Sequence, residues 1–121
     1  MIQVHGKFKF FATDYKSDPT LSQLMDNIQN WVRDKKIAPK SIGVEYLEST
    51  GTVIMSIGYR DDESYPVSLQ MRKVGKIDAN LNFDKNEADV SKAAEGIERI
   101  ICHELFITES GDLNMIFMSK I

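Results

Sequence analysis

Apolar and polar residues alternate along most of the chain, which is the pattern of half-buried β-strands. From Ile2 to Ala12 the apolar side chains fall on one side, and His5 and two lysines fall on the other. The same alternation recurs at 42–46, 53–59, 67–71 and 77–83, and in two runs after residue 101. The sequence therefore predicts about seven strands, with turns at 48–51 and 109–112.

Two segments instead space their apolar residues three or four positions apart, as in a helix that buries one face. The first runs from Leu21 to about Lys35, and Asp18 followed by Pro19 supplies the N-cap and the first helical residue. The second spans about 87–101. The element order β-α-β-β-β-β-α-β-β predicts an α+β fold, with both helices on one face of a curved, mainly antiparallel sheet.

The two halves of the chain show an internal repeat. A shift of 69 residues, which moves Val90 onto Leu21, superposes the apolar positions of the two helices. A shift of 60 residues, which moves Gly111 onto Gly51, superposes the two final hairpins. We expect a single domain over 1–121, built from duplicated halves at 1–60 and 70–121.

Tandem modules with this order of elements resemble the vicinal-oxygen-chelate (glyoxalase-like) family. The resemblance implies a metal site with ligands from both modules, and His5 occupies the ligand position of the first strand. The equivalent strand of the second module, 76–83, contains neither His nor Glu. Metal-ligand spacings such as Cys-x-x-Cys or His-Glu-x-x-His are absent from the sequence, so the residues themselves predict no metal and no cofactor.

Composition narrows the class of protein. The chain has 121 residues, with 18 acidic and 15 basic side chains and a net charge of −3, which does not favour binding to duplex nucleic acid. Its single cysteine, Cys102, excludes an intramolecular disulfide. The sequence lacks both a membrane-length apolar run and a signal-peptide block. We expect a cytoplasmic protein that binds neither membranes nor nucleic acid.

Candidate catalytic groups are few. Cys102 and His103 are adjacent, but neighbours in a strand point to opposite faces, and Cys102 is expected to be a buried, unreactive thiol. His103 and His5 are therefore weak candidates for an acid–base group. The acidic turn at 61–63 is expected to be solvated and to hold no cation.

One predicted surface is more apolar than a monomer usually exposes. It comprises the neighbours of the inward-facing hairpin residues: Leu47, Ile54, Leu105, Ile107, Ile116 and Met118. A sheet edge or a closed barrel would hide some of them.

The leading hypothesis is a non-enzymatic protein-binding or regulatory module that acts as a homodimer. The alternative is a small-molecule-binding protein or small enzyme, with a pocket between sheet and helices that uses His103 or His5. Single-strand nucleic-acid binding on the lysine-bearing sheet face is a third possibility, which predicts affinity that falls with salt.

Overall fold

The computed structural model of the chain describes residues 6–121, which form six strands and two helices. In chain order these are β1 (Lys7–Asp14), α1 (Ser22–Lys35), β2 (Ala38–Leu47), β3 (Thr52–Arg60), β4 (Val67–Lys76), α2 (Asp84–Glu95), β5 (Ile100–Ile107) and β6 (Asp112–Lys120). The strands pair antiparallel in two three-stranded sheets, ordered β1-β3-β2 and β4-β6-β5. The predicted α+β class is confirmed, whereas the single sheet of seven strands is wrong.

The segment predicted as the extra strand, 77–83, is an exposed loop that leads into α2. β4 already fills the place beside β6, with Lys76 as its last residue. The loop then turns, because the N–H of Leu81 donates to the carbonyl of Asp78 and the N–H of Asn82 donates to the Asp78 carboxylate. Asp78, Asn80 and Asn82, whose alternation predicts the polar side of a strand, form the turn instead.

The second helix is also shorter than expected and lies earlier in the chain. It covers Asp84–Glu95 rather than 87–101, since Gly96 caps it and Arg99 adopts a left-handed φ of 58°. Ile100 and Ile101 consequently belong to β5. The apolar side chains of Ile100 and Ile101 match the three-to-four-residue spacing of the helix only by coincidence.

The two halves share the order β-α-β-β and the same arrangement of strands within each sheet. Gly51 and Gly111 both have positive φ in the last turn of their half, as glycine permits. β1 corresponds to β4, and not to the loop at 77–83. The fold thus relates the halves at a different offset from the predicted shift of 69 residues.

The core lies where α1 meets one face of both sheets, called the inner face below. Ile28 and Val32 of α1 pack in one buried cluster with Met55 of β3 and Met118 of β6. The side-chain oxygen of Gln29 accepts a 2.6 Å hydrogen bond from the N–H of Leu69 in β4. On the other flank of α1, the Trp31 ring packs edge-on against Phe11 of β1. The helix therefore bridges the outer strands of the two sheets.

β2 and β5 are the adjoining edges of the two sheets. They run in the same direction, because Cys102 lies beside Ile42 and Phe106 lies beside Tyr46. The Cys102 thiol lies against the backbone of Ile42, and the rings of Tyr46 and Phe106 are 6.1 Å apart. The region where they meet, 42–47 and 102–107, is called the seam below. The strands therefore lie in the spatial order β1-β3-β2-β5-β6-β4.

α2 packs on the opposite, outer face of the second sheet, so the prediction of both helices on one face is wrong. The first hairpin pairs Leu47 with Thr52, whereas the second pairs Ile107 with Leu113, one residue beyond the equivalent position. A one-residue shift of register exchanges the faces of every side chain in a strand. Leu113 and Met115 consequently line the groove beside α2, while Ile116 faces the core.

Candidate binding surface

The outer face at the seam exposes four apolar side chains. Leu47 and Ile54 lie on the first sheet, where Ile54 pairs with Glu45 of β2. Leu105 and Ile107 lie across the seam on β5, and residues of both strands line one shallow depression. The structure therefore brings together four of the six residues predicted to form an interface.

The other two residues of that prediction, Ile116 and Met118, are fully buried, so their expected exposure is wrong. Both belong to the core cluster on the inner face of β6, with α1. The cause is again the register of the second hairpin, which pairs Leu105 with Met115 and turns the even-numbered residues of β6 inward.

Phe8 and Phe10 extend the apolar outer face, although the sequence placed them in the core. They are 60% and 71% exposed. The ladder sets Phe11 beside Met55, which points inward, so Phe8 and Phe10 point outward. Only Phe11, among these three, packs against α1.

The strands between these phenylalanines and the seam carry small residues on the outer face. Phe10 pairs with Ser56, which pairs with Gly43, and Phe8 pairs with Gly58. A Cβ atom added at Gly43 would lie 2.7 Å from the Ser56 hydroxyl oxygen, so a larger residue there would have to displace the Ser56 side chain. These small residues were the signal in the sequence that Phe8 and Phe10 have no bulky side chains beside them on this face.

An apolar groove of about 490 Å³ lies between α2 and the outer face of the second sheet. Its floor includes Leu105, Ile107 and Met115, and its helix side includes Phe83 and Val90. α2 has no fully buried residue, in contrast to α1, which buries four. The groove opens next to the seam, because Leu105 and Ile107 belong to both.

A second, polar cleft of about 720 Å³ lies where the two hairpin turns approach the loop after β1. The Tyr46 hydroxyl donates a 2.7 Å hydrogen bond to Glu109 across it. This bond, together with the charge of Glu109, raises the pKa of Tyr46 to about 12. A tyrosine held protonated in this way is a hydrogen-bond donor and not a general base at neutral pH.

The candidate catalytic residues do not converge. Cys102 pairs with Met118 and His103 with Phe117, so their side chains lie on opposite faces of β5. Burial raises the pKa of the Cys102 thiol to about 11. His103 is exposed and does not line the groove beside α2. His5 lies outside the described residues, as do Ile2 and Val4 of the first predicted strand.

Among residues 6–121, the structure shows no group of three His, Cys, Asp or Glu side chains placed to hold a metal ion. The described residues therefore do not fit the metal site that the vicinal-oxygen-chelate resemblance implies.

Each carboxylate of the acidic turn has its own cationic partner. Lys7 Nζ lies 2.7 Å from Asp61, and Lys40 Nζ lies 3.0 Å from Glu63. Arg60 forms an ion pair with Asp62. These partners lower the pKa of all three acids by hydrogen bonds and charge, and they satisfy the carboxylates without a bound cation.

Neither helix in the described part of the chain has the length and hydrophobicity needed to cross a membrane. Comparisons with known proteins found no matching family, no matching curated protein and no matching solved structure.

Proposed function

We propose that this protein is a non-enzymatic, cytoplasmic protein-binding module that acts as a homodimer through its outer face. The observation that carries the proposal is the set of exposed apolar side chains that spans the seam: Leu47, Ile54, Leu105 and Ile107. Exposed Phe8 and Phe10 extend this surface to the edge of the first sheet. Monomeric proteins seldom leave an apolar patch of this extent open to water.

The size of the surface is adequate for a specific dimer. Four strands, β1, β3, β2 and β5, lie clear of α2, at a spacing of ~4.8 Å and with lengths of ~26 Å. Treated as flat, they present about 500 Å² per copy, and a dimer would bury about 1,000 Å², which is the lower limit for a specific interface. Side-chain relief and the flank of α2 would add to this area.

The outer strands favour association by faces rather than by edges. β1 carries Lys7 and Lys9, and β4 carries Arg72, Lys73 and Lys76. Lysines on an edge strand oppose the addition of another strand. The outer face of β1, β3 and β2 carries Glu45 within it and Asp14 and Arg60 at its ends, and its other positions are uncharged, so it has less of this protection.

Sedimentation velocity at micromolar concentration tests the proposal. We expect a dimer for the unmodified chain and a monomer for Ile54→Lys, which places a charge within the apolar surface. Ile121→Lys is the matched control, because it makes the same exchange at an exposed isoleucine beyond the end of β6. A monomeric unmodified chain, or a dimer unaffected by Ile54→Lys, would overturn the proposal.

A second candidate function rests on the groove beside α2, whose apolar lining suits a small hydrophobic ligand. The probe is 1-anilinonaphthalene-8-sulfonate, added to the monomeric Ile54→Lys variant. An increase in the fluorescence of the probe on binding this variant, lost when Ser91→Trp is added to fill the groove, would favour this function. His103 would then be tested as its acid–base group by His103→Gln, although it lies outside the lining residues.

The proposal treats residues 1–121 as one domain that arose by duplication of the halves at 1–60 and 70–121. The shared strand order and the equivalent positive-φ glycines of the hairpin turns support this history. α1 of the first half packs against β4 of the second, so neither half has a complete core. A single cooperative urea transition, seen equally by Trp31 fluorescence and by far-UV circular dichroism, is the expected behaviour.

A further inference from the structure

A third cleft, of about 550 Å³, lies on the inner face of the second sheet, between the start of α1 and the strands β4 and β6. Its apolar wall consists of Met25 of α1 with Leu69 and Met71 of β4. Its polar wall includes Asp112 and Asn114 of β6. The cleft lies on the opposite side of the sheet from the outer face, so the proposed homodimer contact does not cover it.

Two oxygen atoms of the polar wall accept no hydrogen bond from residues 6–121. Asn114 is only 6% exposed, and its Nδ2 donates to the carbonyl of Phe106 at 3.3 Å, whereas its Oδ1 has no donor. The Oδ2 of Asp112 accepts a hydrogen bond from Ser110, whereas its buried Oδ1 accepts none. Such acceptors are normally paired, because an unpaired one loses the free energy of its hydration. Both oxygens are therefore suited to a donor that enters the cleft.

Two lysines lie near Asp112 but outside hydrogen-bond distance. Lys73 Nζ and Lys76 Nζ are each 3.7 Å from Asp112 Oδ1, and both side chains are exposed, so either can move away at little cost. The hydrogen bond from Ser110 and the charges of the lysines lower the pKa of Asp112, which is ionised at neutral pH. Lys73 pairs with Asn114 across the strands, so its ammonium passes over Asn114 to reach Asp112. An ammonium in that place is near both unpaired oxygens.

We propose that this cleft binds a free α-amino acid with a large apolar side chain. The ammonium of the ligand takes the place of Lys73 Nζ and donates to Asp112 and Asn114. Its carboxylate pairs with Lys73 and Lys76, whose two positive charges exceed the single negative charge of Asp112. Its side chain packs against the apolar wall, where two methionines adapt to ligands of different shape.

A zwitterion matches this group of charges better than a simple anion or a simple cation does. An anion alone would approach Asp112 and leave both oxygens without a donor. A cation alone would meet the two lysines without compensation. The first turn of α1 does not compete for the carboxylate, because the N–H groups of Gln23 and Leu24 already donate to Asp18. The carboxylate is therefore expected beside the lysines.

An amide proton–nitrogen NMR titration of the full chain with L-leucine tests the proposal. We expect the signals of Ser22, Lys73 and Asn114, which all line the cleft, to shift. Isocaproate lacks the ammonium of leucine, isoamylamine lacks its carboxylate, and glycine lacks its side chain. Each should bind with a dissociation constant at least ~10-fold above that of L-leucine, since each loses one of the three contacts.

Ser22→Trp tests the location of the site. Ser22 is exposed in the first turn of α1 and lines the cleft, so the indole fills the space from the helix side. Asn27→Trp is the matched control, because it makes a similar exchange at an exposed position of the same helix outside the lining residues. We expect Ser22→Trp to raise the dissociation constant for L-leucine at least ~10-fold and Asn27→Trp to leave it unchanged.

Asp112→Asn tests the role of the carboxylate. It should abolish the preference for L-leucine over isocaproate while isocaproate binds as before, an effect that a general loss of structure would not produce. The spectrum of each variant shows whether it is folded. If Asp112→Asn does not fold, the ligand series and Ser22→Trp still decide the matter.

Three results would overturn the proposal. These are the absence of shifts with millimolar L-leucine, equal affinity of the unmodified chain for L-leucine and isocaproate, and shifts confined to the groove beside α2. Because the cleft and the outer face lie on opposite sides of the sheet, a monomeric chain that binds L-leucine would refute the homodimer and support this site.

Discussion

The hydroxyl of Tyr46, near the end of β2, donates a 2.7 Å hydrogen bond to the carboxylate of Glu109, in the turn after β5. Tyr46 belongs to the first sheet and Glu109 to the hairpin turn of the second, 63 positions further along the chain. The bond therefore ties the two halves of the molecule together at the polar end of the seam. Tyr15 and Phe106 pack against the Tyr46 ring and fix its position.

This bond predicts a shifted titration. The pKa of Tyr46 is raised from 10 to about 12, chiefly by the hydrogen bond to Glu109. The stability that the phenol proton contributes is thus fully present below pH 10 and is lost as pH rises to about 12. Absorbance at 295 nm, compared between the unmodified chain and Tyr46→Phe, isolates this transition. We expect Glu109→Gln to move it toward pH 10, and an unchanged midpoint would contradict the assignment.

Asp18 predicts a measurable loss of helix stability. It was expected as the N-cap, yet α1 begins at Ser22 and Leu21 occupies the cap position. The buried Asp18 carboxylate nevertheless accepts hydrogen bonds from the N–H groups of Gln23 and Leu24. We expect Asp18→Ala to lower the free energy of unfolding by about 1–2 kcal/mol, as for other helix caps.

The control for this change is Asp26→Ala in the same helix, where the carboxylate is exposed. Its effect should stay within about 0.5 kcal/mol. Urea denaturation of both variants gives the comparison. Equal losses would mean that Asp18 acts through its charge alone and not through the capping bonds.

Local pattern was sufficient for most elements of the fold. The stripe of Leu24, Ile28 and Val32 identified α1, because a helix that buries one face must repeat in this way. The hairpin between β2 and β3 followed from strict alternation around Gly51. These elements depend on residues close together in the chain, so their spacing can be read directly from the sequence.

Register and competition between segments were not predictable in the same way. A one-residue difference between the two hairpins moved Ile116 and Met118 into the core, and no local pattern encodes that difference. The alternating segment 77–83 looked like a strand, but β4 already held the place beside β6. The groove and the exposure of Phe8 and Phe10 follow from these tertiary choices, so the candidate site was only partly predictable.

Burial of Cys102 predicts slow chemistry at its thiol. Its pKa is raised from 9 to about 11, chiefly by desolvation, so the thiolate fraction at pH 8 should fall about 100-fold relative to an unperturbed thiol. We expect iodoacetamide to label the folded protein at least that much more slowly than the urea-unfolded chain. Similar rates in both states would show that the seam opens readily and that β2 does not protect the thiol.

The two helices should differ in their contribution to stability. Val32 in α1 is buried, whereas Val90 in α2 is only partly buried beside the groove. We expect Val32→Ala to lower the free energy of unfolding by about 2 kcal/mol, since it leaves a cavity in the core. The matched exchange Val90→Ala should cost less than about 1 kcal/mol. Losses of equal size in urea denaturation would contradict the proposed division between the helices.

Hydrogen exchange should show the same difference between the helices directly. A helix with few buried contacts opens locally at low cost, so the amides of α2 should exchange faster than those of α1. The measurement is native-state hydrogen exchange of the Ile54→Lys variant, which is expected to be monomeric, so that contacts between copies do not contribute. Equal protection of the two helices would contradict the proposed division between them.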